Sequence, residues 1–259
     1  MKTSLKDKVI IVTGASSGIG LASSRQFGSE GAKVVMAARS YDRMLALAPS
    51  VGDAEHVLCV KCDVTVEEDC KALIEKTLER FGRIDVLVNN AGISMRAMFA
   101  DLDLQVIRRL MDVNFWGTVY CSKYALPHLI GSKGSLVGVI SIAGYSSLPA
   151  RTGYSASKFA VRGFLDTIRI EHVKDGLHVL VFAPGFTTSN VRRAALTADG
   201  SPQGDSPRDE SRMMSAEAVA LKLEKAVERR KREVVLTWIA HLELFVQRHL
   251  PRKMARWAY

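Results

Sequence analysis

A chain of 259 residues, 47% hydrophobic and 24% charged, has the make-up of a globular protein, and at this size folding buries roughly 70–75% of the unfolded surface with no disulfide or metal needed. Disorder, collagen and coiled coil are excluded over most of its length. The formal charge is +9, and +6 of it sits in residues 221–259, where ten Lys/Arg meet four Glu; such a run is usually a solvated helix face, and with no RNA- or DNA-binding motif, nucleic acid is not an expected partner.

The first strand, predicted at 9–13, runs straight into TGASSGIG (13–20) and a helix near 19–30. Gly14, Gly18 and Gly20 allow a tight turn and the close approach of a pyrophosphate, and the helix start then offers unpaired N–H groups and a positive dipole end. Its apolar run covers only 9–12, too short for the core of a signal peptide. The second strand, 33–38, ends on Ala38, where dinucleotide-binding folds often carry an Asp or Glu for the adenosine ribose. The missing carboxylate, with Arg39 following, favours NADP(H) over NAD(H), because Arg pairs with a 2′-phosphate through two charge-assisted bonds.

A helix is predicted near 41–48 and a third strand at 56–62. Cys59 and Cys62 on that strand form a CxxC, but residues three apart on a strand point to opposite faces. No second CxxC or His pair lies nearby, so no metal is expected, and with Cys70 and Cys121 these read as free thiols in a reducing compartment. The helix 66–81 has Thr65 as its expected N-cap, Glu67 and Glu68 in its first turn and Gly82 as its C-cap.

Strands at 84–89, 135–141, 178–183 and 233–237 and helices near 102–130, 153–174 and 215–230 complete the series. Near-continuous apolar strands alternating with helices predict an α/β fold, a doubly wound parallel sheet of about seven strands with helices on both faces. One domain over 1–259 is expected. Within it, the Gly/Pro/Ser/Asp-rich stretch 197–211 reads as a mobile loop. The longest later apolar run, 234–246, contains His241 and Glu243 and is shorter than the ~18 residues a spanning helix needs, so no transmembrane segment is expected and the expected location is cytoplasmic.

Taken in order, TGASSGIG (13–20), CDV (62–64), NNAG (89–92), VNFWG (113–117), SLVGVIS (135–141), YSASK (154–158) and APGF (183–186) resemble the short-chain dehydrogenase/reductase family over roughly 7–190. The resemblance implies a Rossmann fold, a nicotinamide cofactor and hydride transfer between carbonyl and alcohol. It implies that Ser16, Ser17 and Ile19 join the three glycines at the cofactor, that Asp63 with Val64 meets the adenine, and that Asn90, Ala91 and Gly92 line the cleft. Asn90 would also tie the sheet together. Pro184 and Gly185 would lead the backbone around the nicotinamide. Thr187 and Ser189 stand where many relatives have Ile or Val and Thr; the carboxamide contact survives that change more readily than the pyrophosphate contact from Ser189.

For the chemistry, Tyr154 and Lys158 are four apart on one helix and share a face. In the family the tyrosine is the proton donor, and a neighbouring ammonium lowers its pKa and bonds the nicotinamide ribose. Ser141 would orient the substrate oxygen, and Asn114 would hold a water chain to the lysine. The implied activity is NADP(H)-dependent hydride transfer to or from an apolar carbonyl or secondary alcohol of steroid-, retinoid- or lipid-like size, reduction being the expected direction. The alternative is a nicotinamide-binding regulator or scaffold with little turnover, against which the intact Ser141, Tyr154 and Lys158 argue. A substrate loop over 187–215, together with Met95, Met98, Phe99, Tyr145, Leu148, Met213 and Met214, would form an apolar pocket, each of these residues being equally apt as core. The long loop and basic tail resemble the steroid- and lipid-type dehydrogenases of the reductase 7 kind.

A homodimer or homotetramer is implied through the helix carrying YSASK, where Phe159, Val161, Phe164, Leu165 and Ile168 offer apolar surface to bury, some of them instead facing the sheet. The tail 238–259 has Trp238, Leu242, Phe245 and His249 at helical spacing, Pro251, and then RKMARW. Two fates stay open for it: a helix lying in an anionic membrane surface, or a helix packed on its own subunit, the commoner fate of such a segment.

Overall fold

The computed structural model describes residues 3–188, 191, 193–204, 213–236 and 246. Its strands are β1 (Val9–Thr13), β2 (Lys33–Ala38), β3 (Val57–Lys61), β4 (Val86–Asn89), β5 (Ser135–Val139), β6 (His178–Ala183) and β7 (Glu233–Val235). Between them run α1 (Gly18–Ser29), α2 (Tyr41–Leu47), α3 (Glu67–Phe81), α4 (Leu104–Leu110), α5 (Gly117–Gly131), α6 (Thr152–Glu171) and α7 (Ala216–Glu228). All seven strands pair in parallel in the order β3-β2-β1-β4-β5-β6-β7. The order reverses between β1 and β4, and in an open α/β sheet the crevice at such a reversal, beyond the carboxyl ends, is where ligands bind.

Alternation along the strands sends Val9 and Ile11 to one face and Ile10 and Val12 to the other, so the sheet is covered twice. One face takes Leu73 of α3, Leu129 of α5 and Leu165 of α6; the other takes Phe27 of α1, Met44 of α2 and Leu223 of α7. The CxxC divides in the same way: Cys59 packs on the second face and the buried Cys62 on the first, so the two thiols share no site. Gly138 of β5 sets how close α6 comes, since a Cβ there would lie 2.2 Å from Leu165 Cδ1.

Several expectations are corrected. The helix predicted over 102–130 is two helices joined by a π-helical turn, Met111–Trp116, with Asp103 capping the first through a bond from Gln105 N. The N-cap of α3 is Val66, because the Thr65 hydroxyl donates instead to Asp63 Oδ1 at 2.9 Å. Gly82 does end α3 in the left-handed conformation at φ 71°. The described part of 197–211 is tied down: Asp103 N bonds Ala198 O at 2.9 Å, and the Asp199 carboxylate accepts from both hydroxyls of Thr197 and Ser201.

On α6, Val161, Leu165 and Ile168 are buried against the sheet, not on the outer face. Phe159 and Trp116 are exposed there, with Trp116 stacked on Tyr120 and Phe164 edge-on to Phe115. Among the described residues no helix is long and apolar enough to cross a membrane. The tail 238–259 lies outside the described residues apart from residue 246.

At the end of the sheet away from the crevice, buried His178 joins the starts of β5, β6 and β7. Its Nε2 donates to Lys231 O at 2.8 Å, which leaves Nδ1 to accept from the Ser135 hydroxyl at 2.9 Å. Acceptance at Nδ1 requires the neutral ring. Burial, helped by the Arg230 and Arg169 charges and opposed by the Lys231 carbonyl, pushes its pKa down to about 4. The unfolded chain takes up this proton near pH 6.5 and the folded chain does not, so stability falls as pH drops from 6.5 towards 4. In urea titrations between pH 7 and 4.5, His178→Gln is expected to lose a slope approaching about 1.4 kcal/mol per pH unit relative to the parent. Parallel pH profiles for the two proteins would remove this role.

Candidate active site

The crevice is a cavity of about 360 Å³ over the carboxyl ends of β1, β2, β4, β5 and β6. At its centre β1 ends on Thr13, whose Oγ1 accepts from Asn90 N and Ala91 N, each at 3.0 Å, while Asn90 Nδ2 donates to Thr13 O at 2.9 Å. This pins the two middle strands together just where the chain turns. Asn90 fills the tying role expected of it. Thr13 went unnoticed in the sequence, its only signal being a hydroxyl directly before the first glycine of the turn.

The turn then needs left-handed backbone at Gly14 (φ 67°) and Gly18 (φ 53°). Gly20 is required for another reason: a Cβ there would fall 2.3 Å from Gly14 O, and Gly20 packs the helix start against the turn without lining the cavity. Ser17, the N-cap of α1, makes no side-chain cap bond, and no acid sits in the first turn. The N–H groups of that turn are therefore left for an anion, and Ser16, Ser17, Gly18 and Ile19 line the cavity beside them. This end suits a dinucleotide diphosphate. Beyond it Arg39, Asp63 and Val64 line the adenosine side; Asp63 Oδ1 is held by Thr65 N and Thr65 Oγ1.

The other end gathers a hydroxyl, a phenol and an amine. Ser141 follows β5 in extended backbone and its Oγ accepts from Ala143 N at 3.2 Å. Tyr154 and Lys158 reach in from α6, with Lys158 Nζ 5.9 Å from the Tyr154 ring centre. Lys158 is only 4% exposed, and its Nζ donates to Val139 O at 3.1 Å. Burial pushes its pKa down to about 8. Burial drives the Tyr154 phenol the other way, upward, while the Ser141 hydroxyl and the Arg151 charge pull it back.

Asn114 stands in the π-helical turn, 1% exposed, and donates through Nδ2 to Ile93 O and Ser157 Oγ. Its side chain thus sets the walls of the cleft. Gly92, Pro184, Gly185 and Thr187 complete the lining, with Thr187 Oγ1 donating to Gly185 O at 3.0 Å. Ser189 lies outside the described residues.

Of the residues proposed for an apolar pocket, Leu148 lines the cavity and the others do not. Met95 is core, packed with Leu110 and Leu196. Met98 and Phe99 face outwards, Tyr145 is buried beneath the Arg162 guanidinium, and Met214 packs on the sheet. The apolar wall comes instead from Ile93, Val113, Ile142, Leu148, Phe186 and Val191. Arg151, also missed in the sequence, stands among them.

The depressed Lys158 pKa has a measurable consequence. Below about pH 8 the folded chain carries a buried ammonium at a cost, and only above about pH 10.5 does the unfolded chain lose this proton too, so its contribution to stability rises with pH between these limits. The stability advantage of Lys158→Met over the parent is therefore expected to shrink from pH 8 to pH 10 in denaturant titrations. A constant difference would show an ordinary lysine.

A family model described as short chain dehydrogenase matches residues 8–199. "Dehydrogenase/reductase SDR family member 7B" of Rattus norvegicus is 34% identical, over 98% of this chain and 81% of that protein. "11-beta-hydroxysteroid dehydrogenase-like 2" of Arabidopsis thaliana is 37% identical over 71% of this chain and 60% of its own length. Among solved structures, an alcohol dehydrogenase from the archaeon Thermococcus sibiricus, complexed with 5-hydroxy-NADP, superposes with a TM-score of 0.79 at 25% identity, covering 88% of this chain and 95% of that one.

Proposed function

Because the chain belongs to the short-chain dehydrogenase family, we propose that it is an NADP(H)-dependent oxidoreductase acting on the carbonyl or secondary alcohol of an apolar, steroid- or lipid-sized substrate. The observation that carries this reading is the meeting, in one cavity, of Ser141, Tyr154 and Lys158 with the open N-terminus of α1. The bound nicotinamide supplies or accepts the hydride. Tyr154 donates the proton to the substrate oxygen in reduction and removes it in oxidation. Ser141 Oγ holds that oxygen against the phenol. Lys158 lies at the cofactor side of Tyr154, and Asn114 fixes the turn of α6 that carries both.

Arg39 and the absent carboxylate at Ala38 support NADP(H), and the Thermococcus relative was complexed with an NADP derivative. The apolar wall and the hydroxysteroid named in the plant relative support the substrate class. A dimer or tetramer joined across the exposed Trp116 and Phe159 face belongs to the same proposal.

With a panel of apolar ketones and alcohols, Tyr154→Phe is expected to lower turnover by about 10²- to 10⁴-fold while leaving NADPH binding intact. A Tyr154→Phe protein with near-normal turnover would overturn the assignment. Arg39→Ala is expected to cut the preference for NADPH over NADH by about 10- to 100-fold, the value of a charge-assisted phosphate contact. Equal use of both cofactors by the parent protein would end the NADP(H) claim.

A further inference from the structure

Arg151 is half-buried in the cavity wall, which Tyr154 also lines, and it directly precedes α6, three residues before Tyr154. Its Nη1 donates to Ser94 Oγ at 2.6 Å and to Met95 O at 2.5 Å, both on the segment that follows β4. A second bond runs beside it, from Ala97 N to Ala150 O, and Ala150 is held in left-handed backbone at φ 57°. A non-glycine residue keeps that conformation only where its surroundings impose it. The guanidinium thus sits on a fixed mount between the substrate wall and the catalytic helix.

We propose that Arg151 is a positioning residue of the catalytic centre: it fastens the 94–95 wall to the start of α6 and keeps a permanent positive charge in the wall of the cavity that Tyr154 also lines. The proposal rests on the oxidoreductase reading above.

Among the described charged and titratable groups that line the cavity with Tyr154, Arg151 is the one suited to this task. Lys158, on the same helix, turns its Nζ to Val139 O, and with a pKa pushed down to about 8 it loses charge as pH rises. The segment after β5 offers the Ser141 hydroxyl, which is uncharged. From α4 and the 93–97 segment come Leu110, Ile107 and Met95, all apolar. Arg39 and Asp63 line the far, adenosine end of the cavity. A guanidinium stays protonated throughout the working range, so its field on the phenol does not fade where the phenol must ionise for alcohol oxidation. The Arg151 charge does act on Tyr154 in that direction, favouring the phenolate.

The test is the pH profile of alcohol oxidation with NADP, followed at the reduced nicotinamide absorbance, using the full chain and the best alcohol from the panel. In Arg151→Gln the basic ionisation governing kcat is expected to move up by about one unit, which near neutral pH is about a 10-fold loss of turnover. Arg151→Lys keeps the charge but not the fork; its profile is expected to match the parent while KM rises, because the wall at Ser94 and Met95 loosens. Arg151→His, neutral above its own pKa, provides a second uncharged form with a different shape, and its ionisation is expected to move as in the Gln variant. An unmoved ionisation in either neutral variant overturns the proposal. Tyr154→Phe run beside them separates the two readings: if it keeps turnover, the oxidoreductase assignment fails, and if it is inactive while the neutral Arg151 variants keep the parent profile, only the Arg151 role fails.

Discussion

A two-way amide clamp joins Asn114 to the backbone of Ile93: Oδ1 accepts from Ile93 N at 2.8 Å and Nδ2 donates to Ile93 O at 3.0 Å. The second Nδ2 proton goes to Ser157 Oγ at 2.9 Å, and Ser157 in turn donates to Tyr154 O at 2.8 Å. One side chain therefore couples the segment after β4, the turn between α4 and α5, and the turn of α6 that carries Tyr154 and Lys158. Removing it would strand the N–H and the C=O of Ile93, at about 1–3 kcal/mol for each group left unpaired, and would take one donor from the Ser157 hydroxyl. The π-helical turn brings the amide to this point. An α-helix continued without the extra residue would carry position 114 round to another direction, and π turns recur where a side chain must be presented in this way.

The clamp works because the sheet brings its targets within reach. Parallel strands place every carboxyl end on one edge, so residues after β1, β4, β5 and β6, far apart in the chain, become neighbours. Thr13 and Asn90 then lock the two middle strands at that edge. Gly138 lets α6 settle against β5, and Lys158 reaches Val139 O across that short gap. A larger residue at 138 would push α6 outward and disturb the Tyr154–Lys158 pair without touching either.

The strands were legible because buried parallel strands are runs of Val, Ile and Leu, whereas their order in the sheet left no mark in the sequence. The turn 13–20 was legible because its tight geometry demands glycine at those spacings, and the pair Tyr154 and Lys158 because it stands in the family's order of motifs. The π-helical turn was not, since 102–130 has one helical period throughout and an inserted residue leaves no local mark. Nor could hydrophobicity alone divide pocket from core: Met95 and Leu148 are equally apolar, yet one packs under Leu196 and the other lines the cavity. Composition misled at 197–204, where Asp199 uses its carboxylate to knit Thr197 and Ser201 into a turn, so a Gly/Ser/Asp-rich stretch became fixed structure. Arg151 carried no signal in the sequence because its partners, Ser94 and Met95, are more than fifty residues away.

Burial moves the pKa values of Tyr154 and Lys158 in opposite directions and to the same end. It holds Tyr154 towards the neutral phenol and Lys158 towards the neutral amine, so the low-dielectric pocket that strengthens each bond to a bound molecule also works against the phenolate–ammonium pair. A site of this kind needs polarising groups whose charge or dipole does not titrate. The open N-terminus of α1 is one such source at the diphosphate end, and the Arg151 guanidinium, with the Ser141 hydroxyl, is placed to be the other at the reacting end. The apolar wall then follows from the same constraint. Ile93, Leu148 and Phe186 give the cavity an apolar wall, and a substrate that fills that space with hydrocarbon would make the surroundings drier, where fixed charges act most strongly.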